Sequence, residues 1–540
     1  MAERARLAGG PWWPALLAAV VSWSLTELPY AHGRAAAGPG RFYDGLVAHS
    51  DDLHAYLSFA RQSREGAYWF ENRYSPTPHP AAFFNLEWLL VGKAWRMVGD
   101  PAVLGLWRLC GVLLLSFGFW ALSGEALDSL RARGLALALF LLGGGFGWAV
   151  ELARAVRGPA FAPSLGLDLG GYGLHPFVQM LQNPHFAVPH GLVLFALAFL
   201  AAGERTGRAG AYAGAGLCAL AAGLCRPYEL AALVAVVPLL HLARGRLADR
   251  QGLARRGLVL LLLVPALWPV LVIWREPAYR SLTGQGLMPP LDPLVLALGI
   301  GACLFLVARR VSREPGALVR RPVDRLLVLW AAVILVLMQA NRWVEALSFS
   351  PQLMVTVLGP IVLLAVPAVI DDRARPGASL SGAWRVVLVV VLALPSSGIV
   401  IHARYGDAQS GFFRYSEAER LAREWLEARV RPGDLILGTA ETGNRLPRYV
   451  PARVFVGHWT LTPDYGARLA EAEAFFGGRL TDEAARSFLE QWGVDWIWVG
   501  PGERARGGLG RQGSAPGCAE AYRLLGIRIL RCGAAAGGDP

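Results

Sequence analysis

Apolar runs long enough to cross a bilayer recur along most of this chain. The first extends from Pro11 to about Tyr30, and others follow at about 102–123, 134–152, 187–203, 209–225, 227–243, 257–274, 292–308, 326–341, 352–370 and 384–402. Runs of roughly 17–25 residues with few charges predict membrane-spanning helices. The first run reads as an uncleaved span rather than a signal peptide. It is long, and a cleaved leader would leave an even number of spans and misplace the tail. From about Ile401 the pattern changes. Residues 416–430, 464–477 and 481–492 carry helical periodicity, while Leu435–Gly438, Val454–Gly457, Trp496–Val499 and Leu525–Leu530 are short buried-strand patterns. Their alternation predicts a small α/β domain.

Between the first two runs lies a polar and aromatic stretch. Residues 53–64 have the period of a short amphipathic helix, and Pro76-Thr-Pro-His-Pro80 ends any helix. Residues 81–98 are apolar but contain Glu87, Lys93 and Arg96. Orientation decides how to read them. If 81–98 lies on the membrane surface, the loops at 124–133, 204–208, 244–256, 309–325 and 371–384 share one side with the N-terminus. Those loops hold Arg131, Arg133, Arg205, Arg208, Arg244, Arg246, Arg250, Arg255, Arg256, Arg309, Arg310, Arg313, Arg320, Arg321, Arg325, Arg373 and Arg375, and Arg4 and Arg6 join them. Such an excess marks the cytoplasmic side. A crossing by 81–98 would turn every one of these loops outward, so the segment reads as a juxtamembrane helix.

The expected fold is therefore an α-helical polytopic membrane protein with about eleven transmembrane helices plus juxtamembrane helices. Residues 1–402 form the membrane domain, with an outward loop at 31–100. Residues 403–540 form an extracytoplasmic α/β domain. The expected location is a bacterial-type inner membrane, with the N-terminus cytoplasmic.

Composition agrees. The 540 residues are 54% hydrophobic and 17% charged, which excludes most soluble classes. The net charge of +12 would point to nucleic acid in a soluble protein. Here the arginines sit in short loops and report orientation instead. Four cysteines lie in or beside apolar runs; Cys518 and Cys532 lie in the polar C-terminal region, where an oxidising compartment would let them pair. No C-x-x-C occurs, so a zinc site has no support.

Candidate chemistry centres on His49-Ser-Asp-Asp-Leu-His54. Carboxylates beside a bilayer are costly and usually mark function. Asp51 is the candidate general base. The structural alternative is an N-cap for a helix starting near Leu53, a role Asp52 would fill while leaving Asp51 free. His54 and His79 are substrate or metal candidates, against the plainer reading of solvated loop histidines. His175, His185 and His190 share one outward region, with His185 taken as a substrate contact. Arg226-Pro-Tyr-Glu229 interrupts two apolar runs. Arg226, Tyr228 and Glu229 are candidates for a lipid phosphate site, against a tight turn with Arg226 reaching the interface. Arg342 either contacts substrate or pairs with Glu345. Arg108 stands early in a span and is a substrate-contact candidate, against the plainer reading of a pair with an outer-loop carboxylate.

The stretch from about 40 to 125 resembles the GT-C superfamily of membrane glycosyltransferases, nearest to the protein-mannosyltransferase and aminoarabinose-transferase branch. The matching features run in order. A first span precedes an outward loop with the acidic pair Asp51-Asp52. A short helix, Asn72-Arg-Tyr-Ser-Pro76 and His79-Pro80 follow. Leu86 to Gly99 resembles the juxtamembrane helix, and Arg108 stands where the family has an arginine. The branch often shows Asp-Glu where this chain has Asp-Asp. The resemblance implies a polyprenyl-phosphate-sugar donor delivered from the lipid bilayer. It also implies an extracytoplasmic acceptor that is lipid, glycan or protein, and a loop carboxylate as base. It leaves open a divalent metal, Mg or Mn, on Asp51 and Asp52. The main alternative is a transporter or flippase of a lipid-linked saccharide, expected to show inverted repeats and broken helices. A non-catalytic scaffold is the third reading.

Overall fold

A computed structural model describes residues 10–100, 102–158, 173–243, 249–283, 288–344, 347, 349–370, 379–410, 413–508 and 515–533. Arg4, Arg6, Arg244, Arg246, Arg373, Arg375 and Glu345 lie outside the described residues. The chain packs as two compact units. The first unites Met1–Ala31, Leu104–Trp268 and Gln285–Gly406; the second unites His32–Val103, Pro269–Gly284 and Asp407–Pro540.

Among the described residues, five helices are long and apolar enough to cross a membrane: Ala102–Ala126, Pro184–Thr206, Arg250–Arg275, Pro322–Arg342 and Val386–Gln409. Three bent pairs add Leu130–Leu142 with Gly147–Arg157, Pro293–Ile300 with Ala302–Arg313, and Ser350–Thr356 with Leu358–Ile370. The shorter apolar helices Ala209–Cys225 and Glu229–Leu242, with Trp13–Ala35 at the start, account for the remaining apolar runs of the sequence.

Two of the three bends come from glycine. Gly301 has φ of 63°, and a Cβ there would stand 2.8 Å from the Gly145 Cα, so the two breaks cross where neither tolerates a side chain. Backbone groups freed by the breaks find partners on neighbouring helices, as non-helical backbone at membrane depth requires. Gly144 N donates to Ala393 O at 2.7 Å and Phe146 N to Leu298 O at 2.8 Å. His175 Nε2 lies 2.8 Å from Gly299 O. Broken spans are a feature expected of transporters, and each of the three bent pairs among the described residues is either such a span or a re-entrant loop. Several of the loop arginines are paired at helix ends: Arg205 with Glu125 at 2.8 Å, Arg256 with Glu204 at 2.7 Å, and Arg321 with Asp324 at 2.7 Å.

In the second unit, Leu86–Val98 is a helix of 13 residues. At 1.5 Å per residue it is ~20 Å long, short of the ~30 Å hydrocarbon core. Asn85 caps its start by accepting from Trp88 N. It packs on the Ser50–Arg64 helix, where Ser63 Oγ donates to Leu89 O at 2.8 Å and Tyr56 stacks on Trp88 at 4.6 Å.

The strands are β1 (Arg41–Tyr43), β2 (Arg414–Ser416), β3 (Leu435–Leu437), β4 (Arg453–Val454), β5 (Trp496–Val499), β6 (Cys518–Leu524) and β7 (Ile527–Cys532). β1 and β2 form an antiparallel pair; the rest form one sheet in the order β4-β3-β5-β7-β6. β3 runs parallel to β4 and β5, while β7 is antiparallel to β5 and β6. Leu435, Leu437, Ile497, Val499 and Leu530 bury one core with Phe455, Phe475, Phe476 and Leu489. The helices Tyr465–Phe476 and Asp482–Trp492 match the sequence pattern. β6 escaped it because most of its residues are exposed. The Ala440–Tyr449 helix escaped it because it is polar and contains Pro447. Cys518 and Cys532 stand opposite each other on the β6–β7 hairpin and are joined by a disulfide.

Candidate active site

The Ser50–Arg64 helix begins earlier than its hydrophobic period indicates. His49 is its N-cap in the left-handed region, φ 47°. Asp51 and Asp52 therefore both lie in the first turn, and neither is the cap.

The two carboxylates differ in surroundings. Asp52 Oδ1 lies 3.0 Å from His458 Nε2. His458 Nδ1 accepts from Thr460 N at 3.3 Å and faces Thr460 Oγ1 at 3.0 Å. Nδ1 is thus the acceptor, which places the proton of a neutral ring on Nε2, pointed at Asp52. Asp51 is exposed. Asn444 Nδ2 donates to its backbone oxygen at 3.2 Å and to Oδ1 at 3.4 Å.

Long-range pairing brings these groups together. Val454 N on β4 donates to Arg73 O at 2.9 Å, and Arg453 Nη1 donates to Pro76 O at 2.6 Å. The chain then runs from β4 to Gly457 and His458. A Cβ on Gly443 would stand 1.9 Å from Val456 O, so the Ala440–Tyr449 helix meets this segment backbone to backbone. That approach sets Asn444 beside Asp51. Tyr74 OH donates to Asn444 O at 2.9 Å, and the Tyr74 ring stands 6.0 Å from His458. Asn72 clasps the base of the arrangement. Its Nδ2 donates at 2.6 Å to both Ala278 O and Leu461 O, and its Oδ1 accepts from Tyr74 N at 3.0 Å. The Asn-x-Tyr-x-Pro segment is thus a structural tie. His79 serves it, accepting from Asn72 N at 2.8 Å through Nε2 with its ring edge-on to Tyr279 at 6.0 Å.

His54 is buried and faces Asp44, whose Oδ2 is 3.7 Å from Nε2. Burial pushes the Asp44 carboxyl from 3.8 up to about 7, against the pull of Arg448 and the Leu46 amide. Burial, and then Arg448, Arg445 and Arg423, hold His54 well below its ordinary range, so it is neutral. Asp44 takes up a proton on folding between pH ~4 and ~7, so its contribution to stability is full below that window and lost as pH rises through about 7. Asp44→Asn is therefore expected to raise the melting temperature at pH 8 relative to wild type and to change it less at pH 5. Parallel melting curves for the two proteins across that range would contradict the assignment.

The remaining candidates belong to the first unit. Arg108 pairs with Glu27, on the Trp13–Ala35 helix rather than an outer-loop carboxylate, and stacks 3.2 Å over the Tyr30 ring. Arg226 is buried rather than reaching an interface. It bonds Glu229 at 2.5 Å and Gln352 O and Oε1 at 3.1 and 3.0 Å, and lies over the rings of Phe186 and Tyr228. Glu229 Oε2 is buried without a hydrogen-bond partner among the described residues. His185 packs on Phe186 at 4.2 Å. His190 Nδ1 meets Gln179 Oε1 at 2.9 Å, so His175, His185 and His190 turn to different neighbours. Arg342 bonds Gln339 and Leu291 O, both at 2.7 Å. Among the described residues no group of three or more His, Cys, Asp or Glu side chains is placed to hold a metal.

His458 and Asn444 were not visible as site residues in the sequence. His458 is 406 positions from Asp52. The available signal was its place just beyond the carboxyl end of a parallel strand, where α/β sheets place functional loops.

No protein-family model and no curated protein sequence matches the chain. Solved structures do. The oligosaccharyltransferase of Archaeoglobus fulgidus, crystallised with a tethered acceptor peptide, superposes with a TM-score of 0.56 at 12% identity, covering 91% of this chain and 69% of its own. ArnT from Cupriavidus metallidurans, bound to undecaprenyl phosphate, gives 0.51 at 15% identity, covering 98% of this chain and 100% of its own. Both are GT-C glycosyltransferases. At this identity the likeness speaks to architecture, and this chain has the GT-C fold.

Proposed function

We propose that the protein is a membrane glycosyltransferase that moves a sugar from a polyprenyl-phosphate-linked donor to an extracytoplasmic acceptor. The observation that carries this reading is the acidic pair at one helix start, with Asp51 open to solvent and Asp52 held by His458. Asp51 takes the proton of the acceptor as the acceptor atom attacks the sugar carbon. The bond from that carbon to the phosphate oxygen breaks, and the electron pair leaves with polyprenyl phosphate. Asp52, fixed by His458, orients the acceptor. The departing phosphate needs positive charge, which a planar and permanently charged arginine supplies well. Asp51 and Asp52 are the carboxylates that would hold a Mg or Mn ion. Such an ion would neutralise charge on the leaving group. The lipid phosphate bound to the ArnT structure supports the donor class.

The bent spans favour one second reading, transport of a lipid-linked saccharide. Reconstitution in proteoliposomes with a labelled lipid-linked sugar separates the two. Transfer releases polyprenyl phosphate and labels the acceptor. Labelled lipid that crosses the bilayer intact would favour transport.

The disulfide between Cys518 and Cys532 supports an oxidising compartment for the C-terminal part. Ala440→Cys in intact cells is then expected to react with a membrane-impermeant maleimide added outside. Labelling only after the membrane is opened would reverse the orientation.

A further inference from the structure

A cavity of about 230 Å³ lies in the second unit, lined by residues other than the acidic pair and His458. Its position follows from the sheet. Glu441 and Thr442 line it just beyond β3, and Trp498 and Pro501–Glu503 line it at the end of β5. From β3 the chain crosses to β4 on one side, then returns to β5 on the other. β3 and β5 thus flank the point where strand order reverses. The crevice outside the carboxyl ends of strands at such a reversal is where open α/β sheets bind ligands.

The rim is fixed. The buried Glu503 carboxylate accepts from Thr439 N at 2.9 Å, Thr439 Oγ1 at 2.8 Å and Gly500 N at 2.9 Å, joining the loops after both strands. Two other carboxylates of the wall are also engaged. Glu419 accepts from Ser416 N at 2.7 Å, and Glu441 pairs with Arg445 at 3.1 Å. The Asp44 carboxyl is buried at the wall.

Two arginines and the neutral His54 retain unpaired nitrogens. Arg423 is clamped between the rings of Tyr415 and Tyr449, at 3.8 and 3.9 Å. Its Nε donates to Glu419 O at 3.3 Å, and its terminal nitrogens bond no group among the described residues. Arg414 Nε is buried without a partner, and so are both ring nitrogens of His54, which is 1% exposed. Buried donors left without acceptors are costly, and an anion would satisfy them. A guanidinium fork held flat by two rings suits the paired oxygens of a phosphate or carboxylate.

We infer that this cavity binds a small oxyanion, a phosphate or carboxylate on a body of about monosaccharide size, through Arg423 and Arg414 with His54 as a further donor. The inference stands apart from sugar transfer, because no step of the transfer uses these arginines.

The test is isothermal titration of the full-length protein in nanodiscs with inorganic phosphate, glucose 1-phosphate, glucuronate and uncharged glucose. Saturable binding at one site per chain is expected for glucose 1-phosphate or glucuronate, and the stronger of the two identifies the anion. Glucose should not bind. Arg423→Gln and, independently, Arg414→Gln should each weaken binding ~10-fold or more, since a hydrogen bond to a charged group is worth ~1.5–3 kcal/mol. Arg528→Gln, on the β6–β7 hairpin, should leave it unchanged. No saturable binding by any anion would overturn the inference. So would equal affinity in a folded Arg414→Gln protein, or glucose binding as well as its phosphate.

Discussion

Asp51→Asn is expected to lower the turnover rate by ~10²–10⁴-fold, the usual contribution of a positioned general base. The substitution keeps the side chain's size and removes only its ability to accept the proton. Asn444 also donates to the Asp51 backbone oxygen, a contact the change leaves in place. Stability should therefore stay within ~0.5 kcal/mol, as for most surface substitutions. Apparent affinity for the donor should change little, because the lost interaction belongs to the transition state. Initial rates and a melting curve on the same preparation check both parts. A rate within twofold of wild type would remove Asp51 from the base role.

His458→Ala is expected to lower turnover by ~10–150-fold, the range that follows from ~1.5–3 kcal/mol for a hydrogen bond to a charged group. His458 is a positioning residue, since it acts through Asp52. A double-mutant cycle tests this directly. If His458 works only by holding Asp52, then His458→Ala combined with Asp52→Asn should cost no more than the worse single change. Additive losses would show that His458 acts by a separate route. His458→Gln, which offers an amide donor to Asp52, should recover part of the rate. A purely structural role would instead move the melting temperature with no such recovery.

Much of this architecture is legible in sequence because hydrophobic length and period are strong local signals. The eleven apolar runs, the short helix at 86–98 and the strands 435–437 and 496–499 all follow from them. The bends at Gly145 and Gly301 were not legible, because the glycines act through each other across two segments. The candidate site divides in the same way. Asp51 and Asp52 stand out because carboxylates next to apolar runs are rare. His458 and Asn444 do not, because their roles arise from β4 meeting Arg73 and Pro76, hundreds of residues earlier. His54 lies close to the acidic pair in sequence, while the helix turns it towards Asp44. Arg226 was legible as unusual, while its Gln352 partner lay too far along the chain to be paired by pattern.

The most direct test of the central claim follows the lipid-linked donor itself. Membranes containing wild type or the Asp51→Asn/Asp52→Asn double variant are given a panel of radiolabelled polyprenyl-phosphate sugars. The account predicts that wild type consumes at least one donor with release of polyprenyl phosphate, and that the double variant consumes none. Equal consumption by a folded double variant, or intact donor throughout with well-folded wild type, would contradict it.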